Sequence, residues 1–417
     1  MTDAVAVLAD AVALAALIAL LVTAILHLPW RQEAAVAVLA TGIVLATGLV
    51  GRAELEDTLR ELFPVVVFLV SILVVSDVCA RAGLFAAAAR IAGRASHGRP
   101  DRLLLGVFLL AALVTTVLSL DATVVLLTPI VVGAAAALGT SDRPGAFACL
   151  RMANSASLLL PVSNLTNLLA LPYLDLDFLG FARRMAPVLV VVLVVEYVGL
   201  RLLFRRDLGA PQREHGDVPG PPVPVVPVVV VALMLVGFAV LSHWDLAPAW
   251  SSTAAALVLV VWAVVRRLAS ARDVVRAGHP SFALLVLALG IAVSAVATGF
   301  LGDVVAHLVP GGTSFGALLG LAVLATALAA VLTNISATIL LVPMVAPLGT
   351  TAVLAALLGL NIGSGLTWTG SLANLLWRRT LVRCGRRVST AAFHRVSLVI
   401  TPASLFLGVT TLWLVAR

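Results

Sequence analysis

Fourteen apolar runs, each 15 to 27 residues long, leave this chain few ways to fold. They lie at about 4–28, 34–51, 62–80, 103–119, 121–139, 145–171 and 186–204. A second set lies at about 224–242, 250–268, 280–301, 314–332, 335–349, 351–377 and 390–415. A helix needs about 20 apolar residues to cross a hydrocarbon layer of ~30 Å. The chain is 62% hydrophobic and only 11% charged, with a mean hydropathy of +1.14. A soluble domain is nearer half apolar and a quarter charged. In water, 417 residues could not bury this much apolar surface. A cytosolic enzyme, a secreted disulfide scaffold and a disordered chain are excluded. Aromatics are 6% and strict polar/apolar alternation is absent, which counts against a membrane β-barrel. The expected fold is an all-α polytopic membrane protein.

The runs divide evenly about a polar, proline-rich break. The predicted organisation is a first repeat at 1–204, a cytoplasmic linker at 205–223 and a second repeat at 224–417. Asn154-Ser155-Ala156-Ser157 and Leu165-Thr166-Asn167 recur as Asn361-Ile362-Gly363-Ser364 and Leu372-Ala373-Asn374, both at an offset of 207 residues. Ala122-Thr123 followed by Pro129 recurs as Ala337-Thr338 followed by Pro343. Paired asparagines at one offset inside apolar runs are uncommon by chance.

Two pairs of runs meet with almost no loop, at Ser119-Leu120-Asp121 and at Thr333-Asn334-Ile335-Ser336. Polar residues between apolar arms predict re-entrant hairpins. Such tips are tolerated at membrane depth only where protein or a water-filled cavity covers them. Each half then has five transmembrane helices plus one hairpin. An odd count inverts the second half relative to the first, with broken helices at the midplane.

Charge placement tests this count. All 27 basic residues are arginine, so no Walker A loop and no Schiff-base lysine exist in the chain. With the 81–102 loop set inside, alternation places nineteen arginines on the inner side and five (Arg52, Arg60, Arg183, Arg184 and Arg417) outside. That asymmetry is what the positive-inside rule expects. It predicts a bacterial plasma (inner) membrane protein with both termini extracytoplasmic. The first run has no basic residue before it, so it reads as a span rather than a signal peptide.

Asp121 is the sharpest chemical signal. A carboxylate flanked by apolar arms is costly unless paired, protonated or wetted. It reads as an ion- or proton-coupling site, with Ser119 and Thr123 beside it. The competing reading is a capping residue that accepts backbone N–H groups of the second arm. The interrupted runs supply the binding groups. Pro161, Ser163, Asn164, Thr166 and Asn167 break the first. Thr369, Gly370, Ser371 and Asn374, within a glycine-rich stretch, break the second. Broken helices at corresponding points of two repeats mark a midplane binding site. Asn334 and Ser336 at the second tip join this set, and Asn154 and Asn361 support it. The bland alternative is packing by small residues with hydrogen-bonded asparagine glue. Asp77 with Arg81, and Glu196 with Arg201, read as structural pairs. Cys79, Cys149 and Cys384 form no pairable pattern. No histidine has metal-ligand spacing, so no metal site is expected. No hydrolase motif appears, and the chain reads as a transporter rather than an enzyme.

At these motifs the chain resembles a known family. Ser119-Leu120-Asp121-Ala122-Thr123, Val162-Ser163-Asn164-Leu165-Thr166-Asn167 and Thr369-Gly370-Ser371-Leu372-Ala373 look like the arsenite/antimonite efflux permeases of the ArsB type. These belong to the ion transporter superfamily with the sodium–dicarboxylate symporters. Leu120 stands where that family's first tip usually carries Asn, and Thr333 stands at the second. The resemblance implies a scaffold, a moving part made of hairpins and broken helices, an elevator-like motion and a homodimer. The expected function is proton-coupled efflux of arsenite or antimonite. Uncharged arsenous acid suits a site of hydroxyls and amides, and the expected core lacks arginine. One alternative is a sodium-coupled anion or dicarboxylate symporter. Another is a membrane scaffold subunit for a cytosolic ATPase. No cofactor is expected beyond the coupling ion, H+ or else Na+. The expected partners are a small oxyacid or anion and the lipid bilayer, not nucleic acid.

Overall fold

Each apolar run becomes helix because backbone groups in a bilayer must be satisfied within their own segment. The computed structural model describes residues 3–26, 28–209, 221–244, 246–297 and 299–417. The first half comprises α1 (Asp3–Leu26), α2 (Trp30–Thr47), α3 (Arg52–Arg81), α4 (Leu84–Ala95) and α5 (Pro100–Val117). A π-helical turn (Ala122–Leu127) leads into α6 (Thr128–Ala137). Then come α7 (Arg143–Ser155), α8 (Leu165–Ala170), α9 (Phe178–Leu203) and α10 (Arg205–Leu208). The second half comprises α11 (Val225–Ser242), α12 (Ala249–Val265), α13 (Ala271–Ala277), α14 (Pro280–Ala297) and α15 (Phe300–Leu308). It ends with α16 (Phe315–Leu332), α17 (Asn334–Val345), α18 (Thr350–Asn361), α19 (Leu372–Arg383) and α20 (Thr390–Val415). Among the described residues there is no strand, and eight helical stretches are long and apolar enough to cross a membrane. Most of the expected linker, 210–220, lies outside the described residues.

Two packed groups emerge. α1, α2 and α3 pack with α12 and α14, and α11 packs on α12. The hairpins, the broken helices and the pair α9–α20 form the other group. The groups meet where α3 and α14 face the hairpin tips and α8. Corresponding helices pack antiparallel. On α3 and α14, Leu62 meets Gly290, and Val70 meets Gly278 in the turn that leads into α14. On α9 and α20, Val192 meets Gly408 and Gly199 meets Ile400. Rising numbers on one helix meet falling numbers on its counterpart.

Loops expected on the arginine-rich side come together. Arg81 bonds Asp77 at 2.6 Å and reaches Asp273 at 3.5 Å. Asp207 accepts from Ser141 at 2.8 Å, and Arg386 pairs with Asp142 at 2.6 Å. At the opposite face, the Tyr173 hydroxyl meets Glu61 at 3.3 Å and the Phe178 N–H donates to the Ser242 hydroxyl at 2.9 Å. In a Cys384→Ser background, Ser389→Cys should react with an impermeant thiol reagent only from the cytoplasm, and Asp57→Cys only from outside. Labelling of residue 389 from outside would overturn the orientation set by the arginines.

Candidate functional site

Both long runs break for the same local reasons. After α7, Leu160 and Asn164 are extended, with φ/ψ of −118°/148° and −147°/143°. Pro161, which cannot continue a helix, starts the turn between them. After α18, Thr367 and Ser371 take the same conformation, −121°/157° and −142°/140°. The chain then restarts as helix. The Asn164 side chain accepts from the Thr166 N–H to cap α8, and the Ser371 hydroxyl accepts from the Ala373 N–H to cap α19.

The hairpin tips reach these breaks. The first tip lies against Phe68, Leu69 and Ile72 near the middle of α3, which places it at membrane depth. The Ser119 hydroxyl accepts from the Ala122 N–H at 3.2 Å and so caps the second arm. Asp121 makes no capping bond. The π-helical turn beyond it is held by the Thr128 hydroxyl, which donates to the Thr123 carbonyl at 2.9 Å. At the second tip, Thr333 has φ +69°, a region a β-branched residue rarely occupies. The next N–H, that of Asn334, donates to the Gly370 carbonyl at 3.0 Å and ties tip to break. Hydroxyls tie each break to the nearby hairpin arm. Ser163 donates to the Thr116 carbonyl at 2.7 Å, and Thr369 donates to the Ala330 carbonyl at 3.0 Å.

Tips and breaks enclose one cleft of about 40 Å³, walled by α3 and by Phe282 of α14. That volume holds two or three waters. Of the residues expected in the site, Ser119, Asp121, Ser163, Asn164, Asn334 and Ser371 line it. Asp121 is the one ionisable side chain in this lining. Among the described residues its carboxyl has neither hydrogen bond nor ion pair.

The other expected residues lie behind the cleft. Thr123 shares a 2.7 Å hydrogen bond with Thr115. Ser336 is fully buried and its hydroxyl is without a partner among the described residues. Thr166, Asn154, Asn167, Asn361 and Asn374 form a reciprocal network between the breaks. Asn154 Nδ2 donates to Asn374 Oδ1 at 2.9 Å, and Asn361 Nδ2 donates to Asn167 Oδ1 at 2.7 Å. Asn167 Nδ2 donates to the carbonyls of Ser157 and Leu160 at 2.7 and 3.1 Å. Asn374 Nδ2 donates to those of Ser364 and Thr367 at 2.9 and 2.7 Å. Thr166 and Asn164 both donate to Asn361 Oδ1, at 2.6 and 2.8 Å. Every bond of Asn167 thus has a counterpart at Asn374, so these two amides hold the unwound backbone rather than face the cleft. Asn167→Ala takes the side-chain donor from the Ser157 carbonyl and the acceptor from the Asn361 amide, while the Leu160 carbonyl keeps the Ser163 N–H at 3.2 Å. Asn374→Ala takes the side-chain donor from the carbonyls of Ser364 and Thr367, while Asn154 Nδ2 keeps the Leu150 carbonyl at 3.3 Å. Each unsatisfied buried group costs about 1–3 kcal/mol. Both variants should insert, melt earlier and transport less. Wild-type transport by both would reduce the network to packing.

The core is not free of arginine. Arg151 is 1% exposed and Glu196 is fully buried. Arg151 Nε donates to Glu196 Oε2 at 2.7 Å and Nη2 to Oε1 at 2.5 Å. Its Nη1 donates to the Thr401 hydroxyl at 2.8 Å. The hydroxyls of Ser155 and Ser404 donate to Glu196 at 2.8 and 3.1 Å. Glu196 therefore pairs with Arg151, not with Arg201 as its position on α9 suggested. The sequence offered one clue: Arg151 stands inside an apolar run, six residues from its start. The pair lies one helical turn before Asn154, and its charge is internally neutralised.

The chain matches the citrate transporter family (CitMHS) over residues 6–359. It is 28% identical over 399 residues to an arsenical pump membrane protein of Escherichia coli K12, covering 90% of this chain and 92% of that one. The corresponding protein of Yersinia enterocolitica is 27% identical, with 90% and 91% covered. A 46 kDa membrane protein of Mycobacterium leprae is 24% identical over 368 residues, with 84% and 86% covered. The crystal structure of the Alcanivorax borkumensis YdaH transporter shares the fold. Its TM-score is 0.61 at 15% identity, over 88% of this chain and 89% of that one.

Proposed function

Because the chain belongs to the citrate transporter (CitMHS) family of membrane transporters, we propose that it exports arsenite or antimonite in exchange for protons, with Asp121 as the coupling group. One observation carries this reading. The cleft holds a single unpaired carboxyl among neutral hydroxyls and amides. Uncharged arsenous acid can exchange hydrogen bonds with such groups and needs no counter-charge. A tricarboxylate or dicarboxylate would need cationic compensation, and the nearby Arg151 is already spent on Glu196. The likeness to arsenical pump membrane proteins points the same way.

The two packed groups fit an elevator-like motion. Hairpins and broken helices would move against α3 and α14, opening the cleft to each side in turn. Homodimerisation through the first group completes this proposal.

A sodium-coupled anion symporter is the second reading, and a specific feature favours it. The π-helical arm, α8, α17 and α19 all begin at the cleft. Helix N-termini stabilise nearby anionic groups by about 0.3–1 kcal/mol each. Everted vesicles separate the readings. Under the proposal, arsenite uptake follows an imposed pH gradient and ignores sodium. Sodium-dependent, pH-insensitive uptake of a carboxylate would promote the symporter. Uptake appearing only with a cytosolic ATPase present would make the chain a scaffold subunit.

A further inference from the structure

At the arginine-rich end of the bundle, away from the cleft, α9, α20 and the turn before α7 enclose a cavity of about 760 Å³. Arg143, Arg205, Arg206 and Arg395 line it, against one acidic residue, Asp207. Asp207 is already engaged. It accepts from Ser141 at 2.8 Å and lies 4.0 Å from Arg143. Arg143 also stacks over the Phe204 ring at 5.7 Å. Arg205, Arg206 and Arg395 have no hydrogen-bond or ion-pair partner among the described residues. Three cations around one cavity, without a counter-charge among the described residues, are a site for an anion.

The surroundings define the rest of the ligand. Leu202, Leu203 and Val396 add apolar wall. Exposed Val190, Val194, Val198 and Leu202 recur every fourth residue on α9, an apolar stripe that ends at this cavity. On α20, exposed Leu398 and Val399 stand one turn beyond Arg395 on the same face. The apolar stripes lead away from the basic end into the span of the bilayer.

We propose that this cavity binds the phosphate headgroup of an anionic phospholipid, with its acyl chains along the stripes of α9 and α20. Arg205, Arg206 and Arg395 hold the phosphate, and Val198, Leu202 and Leu398 contact the chains. Basic pockets between helix ends are a recognised physical basis for binding acidic lipids. The site is separate from the transport cleft and independent of what is transported. It joins the last long helix of each half, through Arg205 and Arg206 of the short α10, so an occupied site ties α9 to α20.

Thermal-shift titration of the full-length protein in neutral detergent tests this. Phosphatidylglycerol should raise the melting temperature saturably, while phosphatidylcholine and glycerol phosphate should not. Each arginine near an acidic headgroup contributes about fivefold in affinity, so Arg205→Gln/Arg206→Gln/Arg395→Gln should weaken half-saturation by roughly 100-fold. The single variant Arg206→Gln should weaken it about fivefold. Arg183→Gln/Arg184→Gln, at the other end of α9, should titrate as wild type. Three results would each overturn the proposal: a wild-type titration by the triple variant, an equal loss in the Arg183/Arg184 control, or saturation by glycerol phosphate alone.

Discussion

Asp121→Asn is expected to abolish pH-driven arsenite uptake into everted vesicles while leaving insertion and melting temperature unchanged. Asparagine has nearly the shape of aspartate but can neither release a proton nor carry charge. Stability should hold because the native carboxyl makes no hydrogen bond or ion pair among the described residues, and it does not cap the second arm. That task belongs to Ser119, whose hydroxyl accepts the Ala122 N–H. Ser119→Ala should instead lower stability by about 1 kcal/mol, the usual cost of a lost N-cap. The pair of variants separates coupling from architecture. Asp121→Glu keeps a titratable group one methylene further into a cleft of about 40 Å³ and should retain part of the activity. Normal, gradient-driven uptake by Asp121→Asn would remove the carboxyl from the mechanism.

The largest stability effect should come from Arg151 and Glu196. Breaking a buried ion pair by removing one partner costs about 3–5 kcal/mol, because the survivor keeps an uncompensated charge. Arg151→Met leaves Glu196 with the hydroxyls of Ser155 and Ser404 alone. Glu196→Leu leaves Arg151 with the Thr401 hydroxyl alone. Both should melt well below wild type. The double variant should recover much of the loss, since an apolar replacement of a whole buried pair is often neutral or better. Additive losses in the double-mutant cycle would show that the residues do not act as a pair. If the pair serves the breaks through Asn154, the double variant should fold but transport more slowly. A Cβ at Gly365 would lie 2.9 Å from Arg151 Nη1, so the guanidinium packs directly on the second break.

The helical architecture was legible because it follows from local rules. Apolar runs long enough to span, polar residues between paired arms, and proline or glycine clusters inside runs each act within a few residues. They correctly marked α1–α3, the hairpin arms and the interruptions between α7 and α8 and between α18 and α19. The short α4 and α15 were less visible, because brief amphipathic connectors carry weak hydropathy signals. Among the polar residues, the sequence marked which ones are unusual in a membrane. It could not mark which way each would point.

Asp121 shows what the sequence decided alone. An aspartate between two apolar arms has no innocuous place in a bilayer, whatever the arms pack against. Direction and partnership were settled only in three dimensions. Asn164 and Asn167 stand three residues apart and both bond Asn361 of the opposite break, yet of the two it is Asn164 that lines the cleft. Ser119 and Asp121 divide capping from the unpaired charge, although either residue type can cap a helix. Arg151 finds Glu196 45 residues away and Thr401 250 residues away. Pattern in a sequence reports forces that act along the chain. Pairing at such separations is fixed by which helix faces meet when α7, α9 and α20 pack, and burial of that junction makes the pairing obligatory.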